Sequence, residues 1–516
     1  MTAEEAFLGK YRPLIPAQNW QDFLDHYKKP LRKSIRINTS KVSVENFKKL
    51  VPWTLDPIPW CQEGFFVDRE DRSIPLGSTW QHIAGLFYIQ EAASMLPVSK
   101  ISLNSKTRGH APLSKSSFKI LDLCSAPGSK TTQLANRFPN SLIVANEVDR
   151  KRAIALKQNL TRQGVMNVVI LSVDAAKLAY YLPNFFDLVL VDAPCSGEGM
   201  IRKNPKVLEF WDEKKIEYMA GIQKRISKEA LKTLKPGGEL IYSTCTYAPE
   251  ENEEVLAELE ANITDIQRIW PQDFDTGGFF AARVVKELQN QDVRPSPPAP
   301  KGAFGQAPHY SHPQRLKKDE DEFLGKKQVL FIQNKLQKYW DIDLAPYLED
   351  YVVMQSEQEL RLIPKAATSK QLQPLVSKSI QVGIELGSLI RDEFILSHQA
   401  AVALGQNASK NVLELSDKAA GLACPESVLT DRREPAQALQ TFLSGRDLQI
   451  EKSPQETKQL IVKYQGFPLG IVKIVGEKLK NQLPRDFRIN NGHLTIDNGQ
   501  GKRILKSKVT CQRSHV

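Results

Sequence analysis

The chain has 516 residues, 41% of them apolar, too long for one compact core, and its length alone gives about three or four domains. Its 70 basic and 59 acidic residues leave a formal charge of +11, which suits a polyanionic partner but equally a lysine-rich solvated surface. Six scattered cysteines exclude a disulfide framework, none has metal-ligand spacing, and no run approaches the ~18 apolar residues of a membrane span. With an acidic start, Met1-Thr2-Ala3-Glu4-Glu5, and no signal-like stretch behind it, the expectation is a cytoplasmic chain whose thiols stay reduced.

Residues 1–98 read as a small α/β domain. In it Lys28-Lys29-Pro30-Leu31-Arg32-Lys33 leads into the alternating strand Ser34-Ile35-Arg36-Ile37-Asn38. Alternation turns Ile35 and Ile37 inward and Arg36 to the opposite face, where a basic rim is either plain surface or a grip for phosphates. Residues 101–117, rich in Ser, Lys and Gly, read as an exposed insertion. From Phe118 apolar strands at 119–123, 142–146, 168–171, 187–191 and 239–243 alternate with helical patterns near 129–137, 149–163 and 215–234. Such alternation predicts a Rossmann-like, doubly wound sheet covered on both faces, within a domain at 99–288. Lys235-Pro236-Gly237-Gly238 marks a helix-to-strand turn, and the run from Gly278 to Val285 adds an edge strand. The Pro-rich stretch 289–320 reads as an extended linker. Two small β-rich modules follow, at 321–405 and 425–490, then a basic tail at 491–516. In the second module the pattern is a strand to Tyr464, a turn through Gly466-Phe467-Pro468-Leu469-Gly470, and a strand from Ile471.

Asp122-Leu123-Cys124-Ser125-Ala126-Pro127-Gly128-Ser129-Lys130 follows the first strand of the doubly wound region and opens a helix, the setting in which backbone amides hold a ligand. It lacks both the Gly-x-Gly-x-x-Gly and the Walker spacings, so a nucleoside without phosphate, S-adenosylmethionine, fits better. Glu147 ends the second strand, where ribose-binding carboxylates fall, and Asp149 is its rival, although Asp149 can simply cap the next helix. Asp174 follows the third strand, where an acid can accept from an adenine amine. Each acid alone is more often a loop carboxylate in water; three after successive strands favour a cofactor.

Cys195, in Asp192-Ala193-Pro194-Cys195-Ser196-Gly197, and Cys245, in Ser243-Thr244-Cys245-Thr246-Tyr247, each follow an apolar strand. Free cysteines are most often small buried hydrophobes, but two at strand C-terminal ends amid polar residues suit covalent chemistry. Carbon 5 of a pyrimidine becomes nucleophilic only after a thiolate adds to carbon 6. Cytosine then needs an acid at ring nitrogen 3 and a group that removes the carbon 5 proton. Asp192, Cys195 and Cys245 supply candidates for all three roles. An unperturbed thiol has a pKa of ~8.5, and Lys130 or a helix N-terminus is the candidate for lowering it.

These segments, with Gly85–Pro97, Glu198–Lys203 and Gly277–Ala281, closely resemble RNA cytosine-C5 methyltransferases of the NOL1/NOP2/Sun family, and within it the bacterial branch acting on small-subunit (16S) ribosomal RNA. The resemblance implies Cys245 as nucleophile, Cys195 assisting product release, and Asp192 at the cytosine. It implies cofactor contacts from Cys124, Ser125, Ala126, Pro127, Gly128, Ser129 and Lys130, with Glu147, Asp174 and Asp192; no metal is implied. The last module resembles a PUA-like RNA-binding domain, and the expected partner of this monomer is RNA rather than membrane. Ser125 stands where alanine is common in the family, a small change. A transfer-RNA cytosine methylase and a non-catalytic ribosome-assembly factor are the alternatives.

Overall fold

Thr2 Oγ1 accepts from the Glu5 amide at 3.1 Å while the Glu5 carboxylate accepts from the Thr2 amide at 2.7 Å, a reciprocal cap that starts the helix Ala3–Tyr11. Phe7 and Tyr11, one turn apart, are fully buried, yet not against the strands that follow them. With Phe23 and Tyr27 they pack on Ile201, Leu208, Tyr247 and Trp270, so the first two helices cover loops of the central domain. The computed structural model describes residues 2–103, 117–288, 321–376, 379–415, 435–449 and 458–489. The Pro-rich stretch 289–320, residues 104–116 of the insertion, the tail 491–516, Cys424 and Cys511 lie outside the described residues.

The strands β1 (Ser34–Ile37), β2 (Thr54–Ile58), β3 (Cys61–Asp68) and β4 (Phe87–Ile89) make an antiparallel sheet in the order β2-β3-β1-β4. Ile35 and Ile37 face a core that also contains Leu413, Leu439, Phe442, Leu460 and Val462 of the last module. Arg36 corrects the expected basic rim. It points away from Ile35 and Ile37, but that face is covered, leaving the side chain 0% exposed. Its Nε donates to Gln90 Oε1 at 2.9 Å and its Nη2 to Thr132 Oγ1 at 2.6 Å and Ser129 O at 3.3 Å. Neutral acceptors on the helix Ser129–Arg137 therefore hold this cation in place of phosphates.

In the central sheet β5 (Lys119–Asp122), β6 (Leu142–Asn146), β7 (Val168–Leu171), β8 (Phe186–Asp192) and β9 (Leu234–Thr244) run parallel, while β10 (Asn262–Ile269) and β11 (Phe279–Val285) are antiparallel. The order is β10-β11-β9-β8-β5-β6-β7. One core gathers Leu121, Val144, Val189 and Leu240, the other Ile120, Ile143, Leu188 and Ile241; these are alternate residues of the same strands, so both faces are buried. Strand order reverses between β5 and β8, which opens a crevice at their C-terminal ends.

Two expectations about this sheet need correction. The run from Phe279 to Val285 is not an edge, because β10 covers it. Asn262–Ile269 is polar, half exposed and bulged, with a register shift between Thr264 and Gln267 and Asp265 at φ +51°. Such devices protect an edge and erase the strand pattern from the sequence. Lys235-Pro236-Gly237-Gly238 is not a turn before the strand but a bulge inside β9, between the pairs Phe186–Leu234 and Leu188–Glu239.

The middle module is an antiparallel five-stranded sheet drawn from residues 321–396. Its Gln381–Val382 segment leaves to pair with Ile170 and Val169 of β7, becoming an eighth strand of the central sheet. Gly383 then returns the chain at φ +57°, and a Cβ there would lie 2.0 Å from the Leu362 carbonyl oxygen. In the last module Gln465 and Gly466, both at positive φ, make a two-residue hairpin turn. Phe467–Gly470, expected in the turn, is therefore strand. Val412–Leu415 adds in parallel to Gln459–Tyr464. Among the described residues no helix is long and apolar enough to cross a membrane.

Gly383→Ala should destabilise the chain by about 2 kcal/mol or more, through a strained φ and a backbone clash. Urea unfolding of parent and variant measures this; equal midpoints would show that the crossover relaxes freely.

Candidate active site

Asp192 of β8 pairs in register with Ser243 of β9, so the two strands release their loops at the same level of the sheet. Cys195 follows in one loop and Cys245 in the other, and their sulfurs meet at 3.3 Å. Both thiols are half-buried, neither sealed in hydrocarbon. Hydrogen bonding to Cys245, together with burial, pushes the Cys195 thiol well up. Ser243 Oγ donates to Asp192 Oδ1 at 2.8 Å, and Lys130 Nζ to Asp192 Oδ2 at 2.6 Å. Lys130, 5% exposed, also lies 5.2 Å from the Phe279 ring centroid. Its ammonium is thus committed to the carboxylate of Asp192, not to either thiol.

The 124–130 loop is held by its neighbours' side chains. Ser125 donates from both its amide and its hydroxyl to Asn146 O at 2.9 Å. Arg152 Nη2 reaches Ala126 O at 2.8 Å and Asn159 Nδ2 reaches Pro127 O at 2.9 Å. Gly128 takes a left-handed conformation before the helix containing Ser129 and Lys130. Cys124 packs on the sheet core and burial raises its thiol, which suits a backbone role only. Asn146, unnoticed in the sequence, ties three loops together. It donates to Leu123 O and Val173 O and accepts from the Val173 amide, at 3.0–3.2 Å. Its only signal was an amide at the end of an apolar strand.

Glu147 is 3% exposed. Its Oε1 accepts from the Asp149 amide at 3.0 Å, and Oε2 faces Arg152 Nη1 at 3.2 Å without a hydrogen bond. Asp149 takes the capping role, accepting from the Lys151 and Arg152 amides. Asp174 is exposed and caps Ala175–Tyr181 through the Ala176 amide at 2.9 Å. Asp122 is fully buried; it accepts from Thr131 Oγ1 at 2.6 Å, its Oδ1 has no donor, and burial pushes it up to about 7. Among the described residues, two buried acceptors without a hydrogen bond, Asp122 Oδ1 and the ion-paired Glu147 Oε2, sit at the ends of adjacent strands. That donor-poor crevice fits a ligand carrying hydroxyls and an ammonium group, as S-adenosylmethionine does.

Behind the thiols lies a buried network that sequence reasoning missed. Ser196 Oγ lies 2.6 Å from Glu198 Oε2 and 3.0 Å from Thr246 Oγ1, with a very short contact to Glu251 Oε1. Thr246 Oγ1 makes a short contact to Glu198 Oε2 and lies 3.3 Å from Glu251 Oε1. Glu198 and Glu251 are both 0% exposed. Tyr11 OH and Trp211 Nε1 donate to Glu198 at 3.0 and 3.1 Å; Gln223 Nε2 and the Ser196 amide donate to Glu251 at 2.7 and 3.0 Å. The Gly199 amide donates to Cys245 O at 2.9 Å and the Gly278 amide to Gly199 O at 3.1 Å. A Cβ on Gly278 would fall 1.9 Å from the Tyr247 ring, so only glycine permits this stack. The signal was present as two glutamates just beyond two cysteines, but sequence gives no hint that they face one another.

Residues 112–285 match the family model described as 16S rRNA methyltransferase RsmB/F. Residues 4–92 match the N-terminal domain of 16S rRNA methyltransferase RsmF, and 435–489 its PUA domain. The ribosomal RNA small subunit methyltransferase F of Vibrio parahaemolyticus is 34% identical, over 93% of this chain and 97% of its own. The protein of the same name from Aeromonas hydrophila is 36% identical, over 94% and 97%. A solved methyltransferase homologue from Pyrococcus horikoshii is 31% identical, covering 52% of this chain and 91% of its own, with a TM-score of 0.45. Similarity that runs from the first helix through the last module makes this chain a member of the 16S rRNA methyltransferase RsmB/F family.

Proposed function

We propose that this chain methylates carbon 5 of a cytosine in small-subunit (16S) ribosomal RNA, with S-adenosylmethionine as methyl donor. The observation that carries this reading is the thiol pair, 3.3 Å apart, on neighbouring strand ends beside Asp192. Cys245 adds to carbon 6 as its thiol proton is passed on toward nitrogen 3, and the electrons of the ring double bond make carbon 5 nucleophilic. Asp192, braced by Lys130 and Ser243, orients the cytosine and carries the proton given up by Cys245 to nitrogen 3. Cys195 then assists removal of the carbon 5 proton to solvent, and Cys245 leaves as the double bond re-forms and nitrogen 3 gives its proton back. When bound, S-adenosylmethionine supplies an electrophilic methyl group. The 124–130 loop would hold it, Glu147 would accept from its ribose hydroxyls, and Asp174 would serve the adenine side.

Face-on attack at carbon 6 requires a cytosine that is unpaired or flipped out. The N-terminal sheet and the PUA module grip RNA backbone and shape, with salt-sensitive affinity. Free thiols of this kind belong to a reducing cytoplasm.

Bisulfite mapping of ribosomal and transfer RNA, with and without the chain, tests the substrate. A protected cytosine in 16S RNA supports the reading, and protection confined to transfer RNA overturns the ribosomal assignment. Cys245→Ala should lower methyl transfer by at least about 10³-fold; parent-level product would remove Cys245 as nucleophile. Cys195→Ala should still attack but release slowly, accumulating an RNA–protein adduct stable to denaturant. Its absence on a denaturing gel would count against the role of Cys195.

A further inference from the structure

Ser196 and Thr246 stand directly beside the two thiol residues, one on each loop, and each hydroxyl touches both Glu198 and Glu251. That makes four hydroxyl–carboxylate contacts. Two hydroxyls supply only two protons, so with both carboxylates ionised two contacts would set lone pair against lone pair. One proton on a carboxyl oxygen makes a third donor and relieves the repulsion of two buried like charges. The direct donors around the pair are neutral: Tyr11, Trp211, Gln223 and the Ser196 amide. We propose that Glu198 and Glu251 form a positioning pair, locked by one shared proton through the Ser196 and Thr246 hydroxyls, that holds the Cys195 and Cys245 loops at reacting distance. The inference rests on reading the thiol pair as catalytic, and neither glutamate is assigned a contact with RNA or cofactor.

Among the described residues, the cations near this pair bond other groups. Lys215 Nζ donates to Ser196 O at 3.0 Å, Lys10 pairs with Glu250 at 2.6 Å, and Arg268 Nη1 donates to Tyr247 O at 2.6 Å. Tyr242 OH donates to Glu251 O at 2.5 Å, and the thiols of Cys195 and Cys245 complete the surroundings. The second brace is Asn252, which bonds Thr244 Oγ1 at 2.6 Å and Thr246 O at 3.1 Å, fixing the Cys245 loop to the turn that carries Glu251. Burial raises Glu251 from an ordinary 4.5 up to about 7. A folded value above the unfolded one means stabilisation that is whole below about 4.5 and lost as pH rises through about 7.

Two readouts on the full chain test the pair. Glu251→Gln keeps a donor at this position at every pH, whereas Glu251→Ala removes the bridge. Thermal melting, which needs no RNA, should show the parent losing stability across about pH 5–8 while Glu251→Gln loses less; superimposable pH profiles overturn the shared proton. Single-turnover methylation should fall about 10²-fold in Glu251→Ala, with the RNA concentration for half-saturation unchanged, and Glu251→Gln should recover to within about threefold near pH 6.5. Equal rates in parent and Glu251→Ala overturn the positioning role. If the parent methylates no cytosine at all, the proposed function fails, and the melting profiles still decide whether the proton is there.

Discussion

Everything at this site depends on register. Because Asp192 and Ser243 are partners across β8 and β9, two loops fifty residues apart in sequence start from one level and converge on the same point. A shift of one residue would turn Asp192 into the opposite core and separate the sulfurs. The register is fixed by apolar side chains that alternate between two buried cores. The chemistry therefore inherits its geometry from packing far below it.

Around that frame, buried charge is handled in three different ways. Lys130 and Asp192 neutralise each other at 2.6 Å, a pair that breaks at a large cost if either partner is removed. Among the described residues Arg36 bonds only neutral acceptors, so it fastens the N-terminal sheet to the helix after the 124–130 loop through directional bonds. Glu198 and Glu251 surround themselves with hydroxyl, indole and amide donors. In each case a group too polar for the interior is tolerated because it joins two segments that must not drift.

The doubly wound core was legible because Leu121, Val144, Val169 and Leu190 belong to short apolar runs separated by helical patterns, and periodicity carries that information. The loop residues Cys124–Lys130 and the two thiols were legible for a related reason: polar or reactive residues at the ends of buried strands stand out. What stayed hidden depended on partners distant in sequence. Arg36 alternates as an outward residue, and nothing nearby reveals that the helix Ser129–Arg137 covers it. β10 is polar and bulged, so its pairing with β11 left no pattern. Glu198, Glu251 and Tyr11 come from three separate segments, and only folding brings them together.

The core shared by Ile35, Phe65 and Phe87 with Leu439, Leu460 and Val462 bears on how the chain emerges from a ribosome. The oily face of the first sheet waits for strands made roughly 400 residues later, about 20 to 80 s at ordinary rates of synthesis. Until then it offers a sticky surface to any chaperone or aggregate nearby. A truncation near the C-terminus therefore strands apolar side chains at the opposite end of the polypeptide.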